Sequence, residues 1–172
     1  MDLLRRVMAP WRAGRAAEAE RYIRDWHEAC LFVVAGCLQG LRDQQLPRSD
    51  IGVVLDNVDR GLFRVRDAGS GAQEALRRRA PELGVRIRRS TEAIVELRNE
   101  TARFLIRAQG PTPPYLQKRS DPTGQPEAYQ RALHEVGQAA LVRSRAVERD
   151  LGQLWADLQP LMAQLAAPSA HR

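Results

Sequence analysis

Apolar residues recur along this chain in alternating steps of three and four, the spacing that brings side chains to one face of an α-helix. The first series is Ala19, Ile23, Trp26, Cys30, Val33 and Cys37, with Val34, Leu38 and Leu41 widening the arc to one side. A second series is Ile51, Val54, Leu55, Val58, Leu62 and Val65. The third runs Leu76, Ala80, Leu83, Ile87, Ser90, Ile94, Leu97, Thr101, Leu105, and the fourth from Tyr129 and Leu133 through Val136, Ala140, Ser144, Val147, Leu151, Leu154, Leu158 and Leu161 to Leu165. No segment alternates every second residue as a half-buried strand does. The fold class is therefore all-α, and four faces that each need covering predict an antiparallel four-helix bundle in one domain spanning residues 1–172.

Prolines and glycines set the expected boundaries. A short amphipathic leader, residues 1–12, precedes a first helix from Ala13 to Gln45 that Pro47 stops. Ser49 caps a second helix that ends near Asp67 at the "GSG" of residues 69–71. Ser70 and Gln73 form a capping box for a third helix reaching Ala108, with Pro81 kinking it or splitting off Ala72 to Arg79. A long Pro/Gly-rich loop fills 109–126, Pro126 opens the fourth helix, and residues 167–172 form a frayed tail.

Two finer expectations follow from these bounds. Matching Ala108 with Pro126 across the loop sets Ser90 opposite Ser144, as a paired hydroxyl layer. A second helix ending at Asp67 is much shorter than its neighbours, so it leaves the hairpin of helices three and four half covered around Ile94, Leu97, Leu105, Tyr129 and Leu133. Such an apolar seam would dock a second copy or a partner helix.

The most apolar run, "HEACLFVVAGCLQGL" from His27 to Leu41, holds both cysteines. It is shorter than the roughly 20 residues needed to cross a bilayer. Its cysteines share a helical face with Ile23 and Trp26, so they read as small buried hydrophobes. Composition agrees with a folded soluble domain: 172 residues, 44% hydrophobic and 28% charged. With two cysteines and no secretory leader pattern, the expected setting is the reducing cytoplasm. A net charge of +6 and a pI near 10.3 permit an acidic partner without requiring one. Lys118 is the only lysine, so the basic character is almost wholly arginine.

Reactive chemistry does not assemble from these residues. "GSGAQE" follows a helix rather than a strand and lacks the phosphate-binding pattern. His27, Cys30 and Cys37 share their neighbourhood with Trp26 and Val33, and no second ligand cluster accompanies them. Glu92, Glu96 and Glu100 lie among Arg78, Arg89, Arg103 and Arg107, which reads as a solvated ion-pair ladder. The chain is expected to be no enzyme, with no cofactor, no metal and no small-molecule substrate.

Three features point to binding. In the leader, Leu3, Leu4, Val7, Met8 and Trp11 fall on one helical face and Arg5, Arg6 and Arg12 on the other, a pattern suited to a membrane interface or to covering the bundle. The cluster "LRRRAPELGVRIRRS" sets Arg77, Arg78, Arg79, Arg86, Arg88 and Arg89 against a single glutamate. It reads as a charged solvent face, with phosphate binding as the alternative. Phe32 and Phe63 sit on polar faces, as contact anchors do. The leading expectation is a protein–protein interaction module of adaptor, regulatory or assembly type that forms homo-oligomers. A peripheral binder of anionic membranes is the first alternative and a nucleic-acid-binding helical protein the second.

Overall fold

The structure is a computed structural model. It describes the backbone over residues 2–42, 48–108 and 125–166, and the side chains over residues 14–42, 52–106 and 134–164. Apart from a turn at 77–80, everything described is helix: α1 Asp2–Arg42, α2 Arg48–Leu76, α3 Pro81–Ala108 and α4 Gln125–Ala166. The fold is all-α with four helices. Among the described residues α1 packs against the other three, α3 likewise, and α2 and α4 do not pack on each other.

Side-chain pairs fix the register. Between α1 and α2, Tyr22 lies against Gly71, Val33 against Gly61 and Gly36 against Val58, so numbers fall on one helix as they rise on the other. Arg98 on α3 forks onto Asp59 of α2 with two 2.6 Å bonds. At the far end of the same pair, Gly84 meets Gln73 and Leu76. Between α3 and α4, Arg86 donates to Asp157 at 2.6 Å, Arg143 reaches Glu100 at 3.0 Å, and Phe104 lies on Gly137.

The four apolar series supply the core. Ile23, Trp26, Cys30, Val33 and Cys37 are fully buried, joined by Val58 and Val65 from α2, Ile87, Ile94 and Leu97 from α3, and Leu151, Leu154 and Leu158 from α4. Each such aliphatic side chain removed from water contributes about 1.5–3 kcal/mol, so the shared seam holds the helices together. A smaller cluster of Leu41, Phe104, Leu105 and Ala140 closes the other end. At the centre the Trp26 indole donates to the Thr91 hydroxyl at 3.0 Å, with Gly69 against both side chains. That node ties α1, α2 and α3 together.

Several boundaries differ from the sequence reading. The leader is not a separate element: α1 is continuous from Asp2 through Pro10 and Gly14. Pro10 is the ninth residue of α1, where proline takes away one backbone bond and crowds the preceding turn, while the alanine-rich stretch beyond it favours helix. The second helix does not end at Asp67. It runs through "GSG" to Leu76, and Ser70 donates to the Arg66 carbonyl at 3.0 Å instead of capping a new helix. Glycines 69 and 71 are helical because α1 presses two of its aromatics, Trp26 and Tyr22, onto them. Tertiary packing there outweighs the cost of glycine in a helix, about 1 kcal/mol each. The break falls instead at Pro81, which opens α3, where its missing N–H costs nothing.

With an α2 of 29 residues beside an α3 of 28, the α3 side of the expected half-covered hairpin is covered. Ile94, Leu97 and Leu105 are buried by their own chain. Tyr129 and Leu133 lie outside the described side chains, as does Ser49, and the loop at 109–124 and the tail at 167–172 lie outside the described residues. The hydroxyl layer is also absent. Arg143 pairs with Glu96 and Glu100, so its neighbour Ser144 lies near that level, while Ser90 lines a groove beside Val147 and Asp150. The register thus differs from the one expected. Ser144 is fully buried, and its hydroxyl meets no partner among the described residues.

Candidate interaction surfaces

Among the described residues the buried core is apolar apart from Thr101 and Ser144. Both cysteines are free and buried. Burial pushes the Cys30 thiol far above its ordinary value and the Cys37 thiol up to about 11, the latter partly offset by a hydrogen bond with Thr101 and by the Arg98 charge. Thiols held so far from ionisation are poor nucleophiles and poor metal ligands. His27 does not join them. It stacks flat on Trp155 of α4, with ring centroids 4.0 Å apart, and burial lowers its pKa despite the nearby Glu28 carboxylate. Among the described residues no three His, Cys, Asp or Glu side chains gather as metal ligands would. No helix, over the described residues, is long and apolar enough to cross a membrane.

The expected glutamate ladder takes a different form. Glu96 and Glu100 converge on Arg143 of α4 at 3.4 and 3.0 Å, and Glu92 pairs with Arg88. These are cross-helix or single-turn pairs in solvent, each worth little on its own. An open groove of about 240 Å³ lies between α3 and α4, lined by Arg89, Ser90, Ala93, Val147 and Asp150.

The six arginines of the basic cluster do not make one patch. Arg77, Arg78 and Arg79 occupy the exposed turn between α2 and α3, whereas Arg86, Arg88 and Arg89 lie on α3 itself. Arg86 turns toward α4, where its hydrogen bond to Asp157 is the main reason that carboxyl titrates below its usual range, with Gln153 adding a second bond. Arg88, two residues on, points to the opposite side of the helix. Arg77 pairs with Glu74 in the last turn of α2, and Arg88 with Glu92 on its own helix. Arg78, Arg79 and Arg89 have no acidic partner among the described residues.

The two aromatics on polar faces also separate. Phe32 lies over Gly61, in the crease between α1 and α2, and is 52% exposed. Phe63 follows Gly61 by two residues, a turn of about 200° around α2, and so points away from α1. It is 74% exposed, the most of any large apolar side chain described. One turn to either side stand Arg60 and Asp67, both exposed and both without an ion-pair partner among the described residues. The sequence reading missed this pair, because opposite charges seven residues apart acquire meaning only once their own chain is seen to leave them unused. The leader's Leu3, Leu4, Arg5, Arg6, Val7, Met8, Trp11 and Arg12 belong to the first turns of α1, with side chains outside those described.

Comparison of the chain with protein-family models, with curated protein sequences and with solved structures finds no match.

Proposed function

We propose that this protein is an antiparallel four-helix bundle without catalytic activity that works by binding other proteins, and that its first partner is a second copy of itself. The observation that carries this reading is Phe63. A phenylalanine 74% exposed in the middle of a charged helix face loses hydration cost when covered, and aromatics anchor the centres of interfaces. The neighbouring charges select the partner. Placing two α2 helices antiparallel about a two-fold axis at Phe63 sets ring on ring and brings Arg60 of each copy level with Asp67 of the other. One surface thus complements itself, as an isologous dimer requires. A contact built on one helix face falls in the small class of interfaces, so association is weak and concentration dependent.

Sedimentation equilibrium over a wide concentration range tests the reading. The native chain should approach twice its monomer mass at high concentration. Phe63→Glu and Arg60→Asp should each hold it monomeric, and Arg60→Asp combined with Asp67→Arg should restore dimerisation, since the swapped charges pair again. A native chain that stays monomeric throughout, or a charge swap that fails to recover association while circular dichroism is unchanged, overturns the proposal.

A further inference from the structure

We infer that a second surface, the end of the molecule where α1 outruns its neighbours, docks on an anionic lipid surface. The register defines that end. Tyr22 meets Gly71 and His27 meets Trp155, so α2 at Leu76, α3 at Pro81 and α4 at Ala166 all stop level with about residue 17 of α1. The first fifteen or so residues of α1, roughly 22 Å of helix at 1.5 Å per residue, therefore have no helix of this chain beside them among those described.

At the base of this overhang lies the α2–α3 turn, with Arg77, Arg78 and Arg79 all exposed. Arg77 is engaged with Glu74, while Arg78 and Arg79 have no acidic partner among the described residues. The acids nearby are Glu18, Glu20, Glu74 and Glu82, of which Glu20 is taken up by Arg24, and α4 beyond Asp157 carries no charge up to Ala166. The sequence of the overhang adds Arg5, Arg6, Arg12 and Arg15, against Asp2 alone.

Charge complementarity thus calls for a polyanion, and the overhang chooses which one. Its sequence puts Leu4, Val7 and Trp11 on one helical face, which a nucleic acid would leave in water and a lipid interface would bury. Arginines beside an amphipathic helix are the combination that draws a helix onto anionic headgroups, each adding about fivefold to the partition constant. The contact is peripheral, and it is independent of the Phe63 face.

Co-sedimentation with phosphatidylcholine vesicles, with and without about a third phosphatidylserine, tests this. The chain should bind the anionic vesicles and not the neutral ones, with binding lost as salt rises. Arg78→Gln with Arg79→Gln should weaken it about thirtyfold, from ~fivefold per arginine. These two side chains are exposed and have no acidic partner among the described residues, so circular dichroism should not change. Val7→Glu with Trp11→Glu should abolish binding. Equal binding to both vesicle types, no binding to either, an unchanged affinity in the arginine variant, or tighter binding to a mixed-sequence oligonucleotide than to the anionic vesicles would overturn the inference.

Discussion

An added methyl group at Gly137 would sit 2.8 Å from the ring of Phe104, which is fully buried and has nowhere to move. At Gly152, fifteen residues along the same helix, nothing lies within 4 Å. The same substitution should therefore change sign between the two sites. Gly137→Ala gains up to 1 kcal/mol of helix propensity but forces a core ring aside, at about 1–3 kcal/mol, for a net loss of stability. Gly152→Ala keeps only the gain, about 0.5–1 kcal/mol. Urea denaturation of the two variants checks this, and two shifts of the same sign would contradict the packing described. Sequence alone does not separate these glycines, because a missing side chain leaves no periodic signal. The buried cysteines were legible, since Cys30 and Cys37 fall in step with Ile23 and Val33. Phe104 was not, because it lies one position off the repeating series and is covered by α4 through the gap at Gly137.

At the scale of the element, α2 carried the largest difference between reading and structure. Two glycines around a serine resemble a helix stop, and only the Trp26 and Tyr22 rings of another helix explain why the helix continues. The helix faces themselves were legible throughout, as the burial of Ile87, Ile94, Leu151, Leu154 and Leu158 demonstrates. How the helices were aligned was not, because register depends on cross-helix pairs such as Arg98 with Asp59. One such pair makes the α1 and α4 contact sensitive to pH. His27 stacks on Trp155 with its pKa lowered from the ordinary 6.5, chiefly by burial. The unfolded chain therefore binds this proton more readily than the folded one, so the contribution of neutral His27 is complete above pH 6.5 and is lost progressively as pH falls below it. Thermal melts should show the midpoint dropping between neutral pH and the onset of carboxylate titration. His27→Gln should flatten that decline, and a variant as pH-sensitive as the native chain would assign it elsewhere.

For the whole molecule, the decisive feature is that α1, α2, α3 and α4 share one buried core. The sequence indicated this class of fold through its four apolar series. It also suggested an open seam, and on the α3 side that failed for one reason, the underestimated length of α2. The interaction residues named from the seam, Ile94, Leu97 and Leu105, went with it, whereas Phe63 stood apart from any seam and remained exposed. Closure thus rests on residues 68–76 being helix packed on α1 rather than a connecting turn. Amide hydrogen exchange across Ala68 to Leu76 tests that most directly. The account predicts protection comparable to the centre of α1 around Trp26 and Cys30, released only by cooperative unfolding. Exchange of the amides around Gly69 and Gly71 at the rate of an open loop would contradict it.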